Sequence, residues 1–185
     1  KELDLEVQEE NPTDLDQDII DQLGNASSVI ITGGEPVLNR SAETMLELLD
    51  PRTQVRVEFN GSVLPSSSFL DKCKKFNRIN FAFSIDDTEE RFEYLRWPAK
   101  WNEVEENLKW MYNNAPPQVS FTFVITVSEL NKESHESVVE WINENMPTNR
   151  FGKETGIDFN YVKETTLADF DKIDARRNTN WRSIF

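Results

Sequence analysis

Val29-Ile30-Ile31-Thr32-Gly33-Gly34-Glu35-Pro36 is the stretch that decides the fold. Its apolar opening, Val29 to Ile31, reads as a short buried strand. Two glycines, an acid and a proline then stop it. Gly33 and Gly34 let the backbone turn sharply and approach a ligand closely, because no Cβ intervenes. Pro36 fixes its own φ and has no N–H, so the strand ends there. Glu35 is thereby held at the strand's C-terminal mouth, where α/β folds and barrels place ligands. A carboxylate beside free backbone carbonyls suits a ligand ammonium group. The plain alternative is a βα turn carrying a solvated acid.

Upstream of this stretch, residues 1–13 are acidic, and Leu3, Leu5 and Val7 alternate with charge. That pattern fits a short edge strand or an acidic linker. Thr13 or Asp14 caps a helix running to Leu23, with Gly24 as its stop and Leu15, Ile19, Ile20 and Leu23 on one face. Downstream, Asn39 or Ser41 caps a helix that ends near Leu49 and buries Met45, Leu46, Leu48 and Leu49. Val55, Val57 and Phe59 alternate with polar residues, giving a strand that stops at Asn60-Gly61. Ser66 to Phe76 is a short helix with Phe69, Leu70 and Cys73 inward, which makes Cys73 a core residue and not a reactive thiol.

Arg78 to Ile85 reads as the next strand, followed by a loop to Pro98. Lys100 to Asn113 is a helix with Trp101, Val104, Leu108 and Met111 at helical spacing, broken by Pro116-Pro117. Val119 to Val127 is the longest strand candidate. Ser134 to Asn145 is a helix, Ile157 to Val162 the last strand, and 163–185 a tail carrying Leu167, Phe170, Trp181 and Phe185. Strands alternating with helices in this way predict a parallel sheet with right-handed crossovers and helices on the outer face. Periodicity alone leaves an open sheet and a barrel equally possible. On either, Glu35, Asn60, Ser84, Asp86, Thr126 and Ser128 fall at strand C-termini and converge on one rim.

Composition excludes several classes. With 185 residues, 37% apolar and 29% charged, the chain fits one folded domain, 1–185. A net charge of -14 argues against a nonspecific grip on nucleic acid. No apolar run approaches a membrane span, and no signal peptide is visible. One cysteine allows no intramolecular disulfide and suits the cytoplasm. His135, the single histidine, has no second His or paired Cys beside it, so it reads as a surface residue and no metal site is expected. Arg91 and Arg96 flank aromatics in this acidic chain; they pair with acids or meet a substrate carboxylate or phosphate.

Gly33-Gly34-Glu35-Pro36, Phe59-Asn60-Gly61, Phe83-Ser84-Ile85-Asp86 and Arg91-Phe92-Glu93-Tyr94-Leu95-Arg96-Trp97-Pro98, in this order, resemble the radical S-adenosylmethionine (SAM) superfamily. They look like its branch with a C-terminal SPASM or twitch extension. The resemblance runs from about Ile30 to Tyr161. It implies a partial (β/α)6 TIM-like barrel whose first strand and cluster loop are missing here. It also implies SAM and a 4Fe-4S cluster in the full-length family, where SAM is cleaved to a 5′-deoxyadenosyl radical that attacks a peptide or small-molecule substrate.

In the family, groups matching Gly34 and Glu35, within Gly33 to Pro36, meet the SAM amino end. Asn60 lies beside them. Ser84 and Asp86 resemble groups that meet the ribose, and Thr126 and Asn131 resemble the next SAM-facing element. Asp86-Asp87 stands where the family more usually has Asp-Gly. The C-x3-C-x2-C cluster loop has no counterpart, and Cys73 alone cannot replace three thiolates, so no cluster is expected in this chain. Two rival readings remain open: a cluster-less binding or scaffold protein, and an α/β-barrel hydrolase or lyase using Glu35 and Asp86 as an acid–base pair. Neither nucleic-acid nor membrane partners are expected. The open barrel edge along Val29 to Thr32 invites self-association or cover by residues 3–7.

Overall fold

The computed structural model describes residues 17–148, 154–162, 166–177 and 181–184. The edge strand predicted at Leu3 to Val7 and the cap at Thr13 or Asp14 lie outside them. Five strands, β1 (Ser28–Ile31), β2 (Gln54–Phe59), β3 (Ile79–Ser84), β4 (Val119–Val127) and β5 (Gly156–Tyr161), form one sheet in that order. Every pairing is parallel. The helices are α1 (Gln17–Asn25), α2 (Arg40–Leu48), α3 (Ser67–Cys73), α4 (Glu89–Leu95), α5 (Trp101–Asn114), α6 (His135–Asn145) and α7 (Leu167–Arg177). None of them is long and apolar enough to cross a membrane.

The period of two along each strand sorts side chains onto two unlike faces. Val55, Val57, Phe59, Ile79, Phe81, Phe83, Val119, Phe121 and Phe123 are buried on the outer face. There they meet Leu46, Phe69, Leu108 and Ile142 of α2, α3, α5 and α6 in one apolar core. Phenylalanines of the strands tile it, with Phe59–Phe81 centroids 4.7 Å apart and Phe83–Phe123 5.7 Å apart. Such pairs contribute about 0.5–1.5 kcal/mol each beyond simple burial.

The inner face is polar. Asn80 Nδ2 donates to Ser120 Oγ at 3.1 Å and Thr122 Oγ1 at 3.0 Å. Arg56 Nη1 donates to Asp158 Oδ2 at 3.0 Å. These two residues sit on β2 and β5, three strand spacings apart, or about 14 Å on a flat sheet. Their contact therefore requires the sheet to curl toward its polar face. A parallel sheet covered by helices on both sides is apolar on both; this one has helices outside and a polar lumen, the section of a partial TIM-like barrel.

Five local expectations change. Residues 86–98 are not one loop: Glu89–Leu95 is helical, entered through Thr88 with Glu89 and Glu90 in its first turn and Phe92 buried beneath it. Only two turns long, it shows too little periodicity to be read from sequence. The tail likewise contains α7, which docks through Phe170 against Tyr94 and Leu130. Ile30 is 59% exposed, since it points into the lumen from the sheet's first described strand, so the opening apolar run is buried on one face only. α1 runs one residue past Gly24, ending where the Asn25 side chain bonds Asp21 O, and Leu48 of α2 is exposed while Leu46 and Leu49 are sealed.

Candidate ligand site at the C-terminal rim of the sheet

β1 ends in Thr32-Gly33-Gly34-Glu35, and the turn depends on Gly33, whose φ is +135°. A side chain there is strained. At Gly34 the requirement differs: a Cβ would meet nothing within 4 Å, so the space beside it is open. Pro36 is buried and starts a short 3-10 turn, Pro36–Leu38, that leads into α2, whose N-cap is Asn39, accepting from Ser41 N.

Glu35 is pinned by its neighbour strand. Its Oε2 accepts the backbone N–H of Asn60 at 3.0 Å. Its Oε1 is buried, and no described residue donates a well-formed hydrogen bond to it, the Val37 N–H acting on the carboxyl only from a poorer geometry. Burial pushes the carboxyl above the usual range, while the N–H groups of Asn60 and Val37 draw it back. Asn60 in turn accepts Ser62 N at 2.8 Å through Oδ1, and Gly61 follows at φ +76° with Val104 packed 3.2 Å from where a Cβ would stand. The Asn60-Gly61 pair is thus a turn and a support for Glu35 at once.

Across the rim, Asp86 is committed. Its Oδ1 accepts Thr126 N at 2.8 Å. Its Oδ2 lies 2.6 Å from Arg96 Nε, an ion pair whose N–H is not aimed along that line. Asn131, fully buried, donates to Asp86 O at 2.6 Å and Thr126 O at 3.0 Å, and accepts Ser128 N at 2.7 Å. Asp87, also fully buried, receives Arg91 Nε at 3.0 Å and Ser134 Oγ at 2.6 Å, tying the start of α4 to the start of α6. The Asp87–Arg91 bond has the i, i+4 spacing of a helix, the one signal in the sequence that could have revealed α4.

The predicted residues therefore separate. Gly33, Gly34, Glu35, Pro36 and Asn60 form one contiguous edge. Asp86, Thr126 and Asn131 form a second cluster whose backbone groups and amides are spent on one another. Ser84 closes β3 on the inner face, and its hydroxyl bonds no described residue. Arg96, weighed from sequence as an ion-pair partner, is one, yet its two terminal nitrogens donate to no described residue and its side chain is 27% exposed. His135 is half-buried, edge-on to Phe159 at 5.8 Å. No described group of His, Cys, Asp and Glu is arranged to hold a metal ion.

No protein-family model and no curated protein matches the chain. Among solved structures it is similar to SuiB of Streptococcus suis, with a TM-score of 0.56 and 14% identity over 82% of this chain. A second crystal structure of SuiB, bound to S-adenosylmethionine, matches with the same TM-score, identity and coverage. The chain spans 35% and 36% of those SuiB chains. At that identity the likeness establishes the fold.

Proposed function

We propose that this rim binds S-adenosylmethionine by its amino-acid end, and that the chain is a unit of a radical SAM protein of the SPASM/twitch-like branch. The observation that carries the proposal is the buried, unpartnered Oε1 of Glu35 at the C-terminal end of β1. A buried carboxylate oxygen without a donor costs about 1–3 kcal/mol. A ligand ammonium group placed over Gly34, where there is room, supplies the missing donor. The open fork of Arg96, held by Asp86, suits the carboxylate of the same ligand. Ser84 and Thr126 offer hydroxyls for the ribose. A similarly folded chain that binds S-adenosylmethionine, SuiB, supports the choice of ligand.

In this reading the chain's own residues bind and orient. Glu35 and Arg96 grip the two charges of the amino-acid end, and Asn60 and Asp86 hold those grips in place. A 4Fe-4S cluster, where a protein carries one, supplies the electron that cleaves SAM. These 185 residues do not fit it. Their single cysteine, Cys73, is sealed in the outer core, and burial pushes its thiol up to about 12, whereas a cluster needs three thiolates. In this reading the whole protein acts on a peptide or small-molecule substrate. A reduced, buried thiol accords with a cytoplasmic setting. The rival acid–base pairing of Glu35 with Asp86 is disfavoured, because both Asp86 oxygens are already engaged.

Titration calorimetry of the 185-residue chain with S-adenosylmethionine tests the proposal. Saturable binding is expected, weakened by Glu35→Gln roughly 10- to 150-fold, the worth of a charged hydrogen bond. Absence of binding at millimolar ligand, or equal affinity in Glu35→Gln, overturns it.

A further inference from the structure

α7 lies across the two rim segments that hold Asp86 and Arg96, and its contacts fall on their supports. Phe170, buried, packs against both Tyr94 of α4 and Leu130, the residue before Asn131. Tyr94 Oη donates to Asp174 Oδ1 at 2.8 Å. Arg177 Nη1 donates to the Tyr94 carbonyl at 2.7 Å, and its guanidinium lies over the rings of Tyr94 and Trp97, with centroids 5.9 Å and 5.3 Å away. The residue between Tyr94 and Trp97 on the far side of Leu95 is Arg96, the C-cap of α4.

This placement matters because α4 is only seven residues long. Helices that short do not persist alone, and their last carbonyls need partners. Asp87 secures the first turn of α4 and Phe92 its middle. Arg177 satisfies a carbonyl of the last turn, the turn that aims Arg96 at Asp86. Cationic groups belong at helix C-termini for the same electrostatic reason.

We infer that α7 is a clasp on the last turn of α4, and that Arg177 is a positioning residue for Arg96. The role given to Arg96 rests on the proposed ligand; the clasp itself does not. Arg177 reaches no ligand directly. It keeps the Arg96 fork in the orientation that a ligand carboxylate meets, so the ordering cost is met before binding. Ligand binding and the docking of α7 are then coupled, each favouring the other.

A double-mutant cycle on the 185-residue chain tests this, with two readouts. The first is the nitrogen resonance of Arg96 Nε, assigned by its loss in Arg96→Ala. In Arg177→Ala it should move toward the position of a free guanidinium, and Arg177→Lys should bring it part of the way back. The second is affinity for S-adenosylmethionine. Arg177→Ala should weaken it about fivefold, with no further loss when added to Arg96→Ala. Tyr94→Phe, which deletes one hydroxyl, serves if Arg177→Ala does not fold, and should move the resonance in the same direction. A resonance unmoved in the folded variant, or losses that multiply in the double mutant, overturns the clasp. If the wild-type chain binds no S-adenosylmethionine, the ligand assignment fails while the resonance still decides the clasp.

Discussion

The two halves of the rim use the same residue types and finish them differently. On the β3–β4 side, Asn131 and Asp87 are wholly buried and both polar atoms of the Asn131 side chain meet the chain itself. On the β1–β2 side, Glu35 spends one oxygen on Asn60 and leaves the other buried and bare. Burial without satisfaction is costly, so folds keep it where something else arrives. In the proposed reading the satisfied half sets Arg96 in place, and the unsatisfied half leaves an acceptor for the ligand's ammonium group.

The strongest way to break that contrast is Asn131→Ala. It strands the Asp86 and Thr126 carbonyls and the Ser128 N–H together, and should cost about 2–4 kcal/mol in urea unfolding. A loss below about 1 kcal/mol means water replaces the amide and the half is less closed than its geometry indicates. Next comes Gly33→Ala, at about 1–3 kcal/mol for a side chain at φ +135°. Gly34→Ala, with open space around its Cβ, should leave stability unchanged and weaken S-adenosylmethionine binding instead.

A smaller effect, of opposite sign, is expected at Glu35. Its folded-state carboxyl titrates above its unfolded value because of burial, so the folded chain holds that proton longer. Stability from this group is then full below the unfolded value and falls as pH rises through the window up to the folded one. Glu35→Gln should remove that fall: the variant unfolds at higher urea than wild type at pH 7, with the gap closing near pH 4. A gap independent of pH contradicts it. Smallest of all is Ser84→Ala, within about 0.5 kcal/mol of wild type, since the hydroxyl bonds no described residue. Calorimetry should nevertheless record weaker ligand binding.

Much of the architecture was legible because it repeats a simple period. Val55-Val57-Phe59 and Val119 to Val127 announce strands by alternation, and Trp101-Val104-Leu108-Met111 announces a helix. Cys73 followed from its place on a helix's apolar face, and is fully buried as expected. Glu35 was legible because glycine and proline punctuate the strand around it. What escaped was whatever depends on distant partners. Asn131 reads as a ligand-facing amide until its bond across the rim to Asp86 O, beside those to Thr126 and Ser128 in its own loop, is seen, and Ile30 reads as core until the sheet curls. α4 and α7 escaped for a related reason: their order comes from docking on each other, of which the Asp87–Arg91 spacing is a faint local trace.

The strand order of the sheet follows the order of the sequence, β1 through β5 without interruption. Each strand after β1 therefore pairs with the strand made just before it, a whole crossover back in the chain, so the sheet can be extended one strand at a time as the chain emerges during synthesis. Two sets of contacts stand outside this progression: Arg56 to Asp158, 102 residues apart, and those that α7 makes with Tyr94, among them Asp174, 80 apart, and Arg177, 83 apart. The first cannot form until β5 is made, and the second waits for the last long helix. The curl of the lumen and the setting of Arg96 are thus late events in the life of the chain, and a nascent chain stopped short of α7 would carry a complete core with an unfinished rim.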